Sequence, residues 1–399
     1  MVNLFQDEQI DFSEGFSEQS VKKNSKEINN KYARGEIRIV TEQARYPLNT
    51  IVSMLDSGDY QLNPEFQRRH RWSQEKQSVL IESFIMNVPI PPIFLYEVSY
   101  SYYEVMDGLQ RLTAIYEFYK GKYCLTGLVK WPELNGYDYN NLPELVKKGI
   151  DRRFISSIIL LRETAKNEQE AEKLKQLVFD RINSGGEKLE PQESRNALYN
   201  GPLNQLCIKL ARTQSFCKMW QIPEPTESEL RGEIPEELIR DIHYRKMNDV
   251  ELVLRFFAYR QIERFDKAIL RDFLDAYLKN GNLFTSELLK RLGKLFLMTS
   301  DLVCNILGER AFYLYRKRKK DKWEWFKRPT KVLYDPVMYA FSRYCEQSEQ
   351  LIEKKDAINK SLTPFYMKNE DIFAGRSTNK RDIIKRRVLF LNFIKEFVE

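Results

Sequence analysis

The chain has 399 residues, 42% of them hydrophobic and 13% aromatic, which excludes a wholly disordered protein and suggests about two domains. Its 64 basic and 57 acidic residues leave a net charge of +7, which permits contact with nucleic acid without arguing for it. Five cysteines without a CxxC pair, only two histidines and no apolar run of ~18 residues exclude a His-rich zinc site and indicate a reduced, cytoplasmic protein with no membrane contact.

The pattern of polar and apolar residues in the first half of the chain changes near residue 45. Residues 1–44 alternate acids, bases, Ser and Asn, and we predict a flexible N-terminal arm there. Residues 45–165 predict a small α+β core in which Ser73 is the N-cap of an amphipathic helix. The apolar stripe of that helix is Ile81, Phe84, Ile85 and Val88. Residues 93–96 and 102–106 then indicate two neighbouring strands joined by a short turn. The helix after them is expected to turn four side chains inward: Leu109, Leu112, Tyr116 and Tyr119.

Helical periodicity dominates the rest of the chain. From residue 166 to 399 Gly and Pro become sparse and strand-like alternation disappears, so a mainly α-helical domain is predicted. Pro191 fits the first position of one of its helices. The predicted fold class is therefore α+β, a small mixed core followed by a helical domain.

The segment Asp107-Gly108-Leu109-Gln110-Arg111 lies where a strand passes into a helix. Backbone N–H groups are free at such a junction and favour a bound anion. Arg111, a cation in the first turn, opposes the helix dipole by roughly a few tenths of a kcal/mol, and a bound anion would reverse that sign. Asp107 suits a magnesium ion beside phosphate oxygens. The alternative is an ordinary helix start that Asp107 caps.

Two further segments offer groups for phosphate. Gln67, Arg68 and the residues up to Trp72 combine donors with arginines, which match phosphate geometry in a bidentate fashion. The loop Asn183-Ser184-Gly185-Gly186 offers backbone amides that a phosphate can accept. An exposed basic loop and a helix C-cap are the alternative interpretations. Together the three segments suggest one pocket for nucleotide phosphates, which the helical domain completes.

Residues 315–328 are the most basic stretch of the chain, with cations interleaved among aromatic residues. This pattern suits a nucleic-acid backbone and stacked bases. A solvated charged face is the alternative. The candidate contacts with nucleic acid are Arg316, Lys317, Arg318, Lys319 and Lys320.

These segments, taken in order, resemble the N-terminal domain of GmrSD-type restriction systems, which also opens the phosphorothioate-dependent defence protein SspE. The resemblance rests on residues 66–72, 89–94, 107–112, 183–193, 249–257 and 375–378. It implies a ParB/sulfiredoxin-like α+β core joined to helices. It also implies binding and hydrolysis of nucleoside triphosphates, with magnesium, in bacterial defence against foreign DNA.

The family's DGQQR motif falls on Asp107, Gly108, Gln110 and Arg111, and Leu109 replaces its third residue. By resemblance, the catalytic residues are Asp107, Gln110 and Arg111, and Asp107 holds the magnesium. The expected nucleotide-binding residues are Gln67, Arg68, Gly108, Arg111, Asn183, Gly185 and Gly186. Leu109 either weakens hydrolysis while leaving binding intact, or packs inward and is harmless.

Larger members of the family carry an HNH nuclease domain after this one, whereas this chain ends where the first domain ends and has two histidines. We therefore expect a nucleotide-binding, hydrolysing regulatory or sensor protein that forms homo-oligomers and works with DNA and a separate nuclease or effector chain. One alternative is a ParB-like DNA-binding module without nucleotide chemistry. Another is a ParB-like nuclease, although the sequence offers no compact carboxylate cluster for it.

Overall fold

The chain packs into two units in the computed structural model, which describes residues 4–10, 12, 25–33, 39–62, 69, 72–165, 167–183, 189–231, 233–265, 270–317, 322–373 and 379–398. The sheet unit comprises residues 18–189. The helical unit comprises residues 1–17 together with residues 190–399. Among the described residues, none of the helices combines the length and the apolar character that a membrane crossing requires.

The sheet unit is built on a mixed five-stranded sheet. Its strands are β1 (Thr41–Pro47), β2 (Tyr60–Gln61), β3 (Ile93–Ser99), β4 (Tyr102–Asp107) and β5 (Phe154–Leu160), in the order β1-β5-β3-β4-β2. Strands β1/β5 and β3/β4 are antiparallel, while β3/β5 and β2/β4 are parallel. Its helices are α1 (Ser25–Ala33), α2 (Ile51–Asp56), α3 (Gln74–Ile85), α4 (Leu109–Tyr119), α5 (Glu144–Asp151) and α6 (Glu168–Asn183). The predicted α+β class is confirmed.

One face of this sheet packs on α3 and α4. Alternate side chains of the strands, such as Ile93 and Leu95, enter the same core as Ile81 of α3 and Ile115 of α4. The N-cap prediction is confirmed, since the Ser73 hydroxyl accepts a hydrogen bond from the Lys76 backbone N–H. The predicted stripes were too wide. Val88 is exposed beyond the end of α3. On α4, Ile115 and Phe118 are fully buried and Tyr119 packs against the core, as expected for Tyr119, whereas Tyr116 lies outside it.

The opposite face of the sheet packs against α6. Lys175 of α6 lies 2.5 Å from the Glu104 carboxylate of β4, and its ammonium lies over the Tyr96 ring of β3. Further along the helix, Val178 and Ile182 face Met106 of β4. The C-terminal end of α6 therefore lies on the same side as the C-terminal end of β4.

The helical unit buries a large aromatic and aliphatic core among its helices. These are α7 (Pro191–Leu198), α8 (Pro202–Leu210), α9 (Gln214–Trp220), α10 (Glu227–Leu230), α11 (Glu236–Arg240), α12 (Ile242–Arg245), α13 (Asn248–Tyr259), α14 (Leu270–Gly281), α15 (Ser286–Leu307), α16 (Lys331–Ser342), α17 (Ser348–Glu353), α18 (Lys355–Lys368), α19 (Glu370–Phe373) and α20 (Lys380–Lys395). An antiparallel hairpin, β6 (Tyr313–Lys317) and β7 (Trp323–Pro329), interrupts them. The domain is mainly α-helical as expected, but the hairpin was not predicted.

Part of the chain's N-terminus packs into the helical unit. Both oxygens of the Glu8 carboxylate accept hydrogen bonds from Arg260, each at 2.9 Å, and the Glu8 side chain is completely buried. The Gln261 amide bonds the backbone on both sides, donating to the Glu8 carbonyl and accepting from the Ile10 N–H. The Phe12 ring packs against two phenylalanines of the core. This segment lies within the stretch for which the sequence predicts a flexible arm.

Candidate nucleotide-phosphate site at the end of strand β4

The turn from β4 into α4 depends on Gly108. Its φ is +93°, a backbone conformation that residues with a side chain rarely adopt. A Cβ atom at this position would lie 2.4 Å from Cγ2 of Ile93, which is fully buried in β3. Only glycine therefore lets Asp107, the last residue of β4, lead directly into the helix so close to β3.

Arg111 is engaged within the turn. Its Nη2 donates to Oδ2 of Asp107 at 2.6 Å, and its Nη1 donates to the carbonyl of Pro91 at 2.7 Å. The Arg111 side chain is 12% exposed, whereas that of Asp107 is 40% exposed. The cation that we expected to need a bound anion is thus already balanced by Asp107. Among the described residues, no hydrogen bond reaches the other carboxylate oxygen, Oδ1 of Asp107.

Gln110 connects this turn to the segment that ends at Trp72. Its side-chain Oε1 accepts a hydrogen bond from the Trp72 backbone N–H at 3.2 Å. Its Nε2 is buried and has no partner within the described part of the chain. Because the N-cap is Gly108, no side chain caps the first turn of α4. Unused hydrogen-bond donors therefore meet at the start of this helix.

The structure brings Trp72 to the predicted site, but the other candidates of that segment cannot be placed. Gln67 and Arg68 lie outside the described residues. Arg69, which follows them, is described and is 1% exposed. A buried arginine in this segment was not anticipated, since all its cations were expected to face a ligand or solvent.

The third predicted segment begins at the end of α6. The helix ends at Asn183, of which the structure describes the backbone, and Gly185 and Gly186 lie outside the described residues. The last turns of α6 and the sheet enclose a cavity of about 430 Å³. One wall is Phe94, which pairs with Asp107 across β3 and β4. The start of the third segment and the Asp107 turn thus share one end of the sheet unit.

Asp107 is the one residue of the predicted site that we expected to bind a metal ion. Within the described ranges, no group of three or more His, Cys, Asp or Glu side chains is arranged to hold a metal ion. A single carboxylate still fits magnesium, because this ion usually keeps several waters and binds through one or two carboxylates plus substrate phosphates.

Two of the predicted nucleic-acid residues, Arg316 and Lys317, lie on strand β6 of the hairpin. The Arg316 guanidinium lies 4.4 Å from the centroid of the Phe326 ring, and the Lys317 ammonium lies 3.8 Å from the Glu370 carboxylate. Tyr315 and Trp325 pack against the helical core and each other, so these rings support the hairpin. Arg318, Lys319 and Lys320 lie outside the described residues.

Sequence reasoning missed a buried ionic network in the helical unit. Arg195, on α7, donates to Glu251 at 3.1 Å and to Asp275 at 2.6 Å, and Lys331 lies 2.7 Å from Glu251. Burial alone would raise the pKa of Glu251, but Lys331, Arg195 and Arg255 outweigh it and lower the pKa to about 2. The sequence shows these charges on four helices that are far apart along the chain. It does not show that they point inward and pair with one another.

Residues 48–200 match the family described as GmrSD restriction endonuclease, N-terminal domain. This range contains the Asp107 turn and the two other predicted phosphate-binding segments. No curated protein and no solved structure gave a match. The family match confirms the resemblance and supports a role in a restriction or defence system. Residues 48–200 of this chain are therefore similar to the GmrSD N-terminal domain.

Proposed function

We propose that the sheet unit binds a nucleoside triphosphate with magnesium at the turn after β4, and that nucleotide turnover regulates the chain's role in a restriction or defence system. The observation that carries this proposal is the set of unused donors at the start of α4. The buried Nε2 of Gln110 lacks a partner among the described residues, and the first helical turn has no side-chain cap. Buried donors are normally satisfied, and phosphate oxygens would satisfy these.

The exposure and the contacts of each residue in the turn indicate which role it would have. Asp107 is the exposed carboxylate, and its Oδ1 is available for magnesium, which would neutralise charge on the phosphates. Gln110 would hold a phosphate oxygen or the attacking water. Arg111 orients Asp107 and adds positive charge beside it. Gln67, Arg68, Asn183, Gly185 and Gly186 remain proposed phosphate contacts on the grounds of sequence.

The departure at Leu109 does not weaken this proposal. The Leu109 side chain is 6% exposed, with its face of α4 toward the core. A polar group here would be buried away from the turn that carries Asp107 and Gln110. Positioning and charge neutralisation are most of what phosphoryl transfer requires, and both rest on other residues. We therefore expect hydrolysis as well as binding.

Calorimetric titration with ATP, GTP and CTP, each with magnesium, tests the proposal. The wild-type chain is expected to bind at least one of them. Asp107→Asn and Arg111→Ala are expected to weaken that binding by at least about tenfold, or about 1.4 kcal/mol. Asp356→Asn, which changes an exposed carboxylate of α18, is the matched control and should bind as the wild type does. Failure of all three nucleotides to bind, or unchanged binding in Asp107→Asn, would overturn the proposal.

A second candidate function, DNA binding without nucleotide chemistry, is favoured by the exposed cations of the hairpin. Lys322, Lys327 and Arg328 project from β7 or its approach, and all three are exposed. Because the neighbouring rings pack inward, contact would be made through phosphates and would be independent of sequence. The logarithm of the affinity for a labelled duplex should then fall linearly with the logarithm of the salt concentration. Lys327→Glu should make that slope shallower by about one. A slope unchanged by Lys327→Glu would remove this candidate.

A further inference from the structure

We propose that the cavity between α6 and the sheet receives the base of the bound nucleotide. The inference rests on the proposed function and adds to it a second subsite, apart from the phosphates. The cavity lies within the sheet unit and measures about 430 Å³, within the usual range of roughly 300–1,000 Å³ for small-molecule sites.

The position of the cavity joins it to the phosphate site. Phe94 forms part of its wall and pairs directly with Asp107 in the β3–β4 ladder. Met106, the residue before Asp107, lines it too. The cavity therefore begins one residue before the Asp107 turn, on the face of the sheet that α6 covers, and a ligand bound at the turn would reach it around the end of β4.

The walls of the cavity suit a flat, largely apolar group. Ile158 and Leu160 of β5 lie on the sheet side, and Val178 and Ile182 lie on the helix side. Phe94 supplies an aromatic ring, on which a base can stack irrespective of its identity. The charged Arg181 also lines the cavity and is exposed, so the cavity is open to solvent along this edge of α6. In this arrangement the base would be buried between the sheet and α6, and the ribose would face the open edge beside Arg181.

Filling the cavity should separate base recognition from phosphate recognition. Val178→Trp fills it from the helix side and Ile158→Phe from the sheet side. Both variants and the wild type are titrated with ATP plus magnesium and, separately, with inorganic triphosphate plus magnesium. The control, Asp180→Trp, adds the same bulk to an exposed position of α6. Circular dichroism and thermal melting establish which variants are folded.

The wild type and Asp180→Trp are expected to bind ATP at least about tenfold more tightly than inorganic triphosphate, as one base stack allows. In the filled variants this preference should disappear, while the affinity for inorganic triphosphate stays the same. Undiminished ATP binding by both folded variants would overturn this inference and leave the phosphate site intact. Absence of ATP binding by the wild type would overturn the proposed function, and this inference with it.

Discussion

Replacement of Gly108 by alanine tests the central turn of the candidate site. The residue has a φ of +93°, and its Cβ would lie 2.4 Å from Cγ2 and 2.9 Å from Cβ of Ile93. Ordinary contact begins at 3.4 Å, so Ile93 or the turn must move by about 1 Å. Ile93 is fully buried and branched at Cβ, and therefore has little freedom to move. The same Cβ would lie 3.2 Å from Nη2 of Arg111, the atom that donates to Asp107.

Two terms set the size of the effect. A side chain in the left-handed region costs roughly 1–2 kcal/mol. Overpacking of a well-filled core costs typically about 1–3 kcal/mol more. Gly108→Ala is thus expected to lower the free energy of unfolding by about 2–5 kcal/mol. For a unit of this size, that corresponds to a fall in Tm of roughly 4–20 °C.

Gly58→Ala is the matched control, because Gly58 has a φ of +83° and no atom of the described residues lies within 4 Å of its would-be Cβ. Alanine at position 58 therefore has the strained positive φ but does not collide with a neighbouring side chain. Scanning calorimetry on both variants follows the same transition, since both residues belong to the sheet unit. Gly108→Ala should be the more destabilised by about 1–3 kcal/mol. Equal destabilisation of the two variants would refute the close packing of Gly108 on Ile93.

Three further substitutions probe buried groups, each by urea denaturation. Glu8→Ala leaves Arg260 buried without its carboxylate and should cost about 3–5 kcal/mol; a loss below about 1 kcal/mol would contradict docking of the N-terminus. Glu251 has a folded pKa of about 2 against 4.5, so its stabilisation is present above pH 4.5 and is lost as pH falls toward 2. Glu251→Gln should therefore cost about 3 kcal/mol at neutral pH and progressively less below pH 4.5; a pH-independent difference would contradict the network. Leu109→Gln should cost about 1–3 kcal/mol without changing nucleotide binding, and a variant of full stability would show that position 109 faces solvent.

The features that the sequence predicted are local ones. Strands β3 and β4 and helix α4 follow one another along the chain, and their alternation, turn and helical spacing are visible within residues 93–119. Asp107 and Arg111 are four residues apart at a helix start, so their proximity also follows from local geometry. The error at Tyr116 also has a local cause, because periodicity alone does not separate two adjacent stripes of one helix.

The features that it did not predict depend on distant partners. Thr41 of β1 pairs with Leu160 of β5, more than a hundred residues further along the chain. The sequence around either residue does not indicate which strand it will pair with. The hairpin β6–β7 was not predicted because its many cations indicate a solvated surface, whereas its aromatic residues in fact pack against the core. Glu8 belongs to a polar stretch whose burial makes sense only beside Arg260. Charges that pair internally look the same in a sequence as charges that face water.

The Asp107–Arg111 pair has a consequence for how a nucleotide would bind. In the described structure each group neutralises the other across 2.6 Å. On the proposed function, Asp107 exchanges Arg111 for a magnesium ion, and Arg111 exchanges Asp107 for a phosphate oxygen. Either exchange alone leaves one charge without its partner in a partly buried turn, which is unfavourable. Both together restore the balance.

Magnesium and nucleotide should therefore bind cooperatively, with a coupling free energy of about 1–3 kcal/mol, or roughly 5–150-fold in affinity. Calorimetric titration with ATP, in the presence of magnesium and then of EDTA, measures this coupling. Asp107→Asn removes the carboxylate that the cation would take over, so most of the coupling should vanish in that variant. The affinity of ATP for magnesium in free solution is the same for both proteins and cancels in the comparison. Coupling of equal size in the wild type and in Asp107→Asn would mean that the ion is held by the phosphates alone, and that Asp107 serves only to hold Arg111.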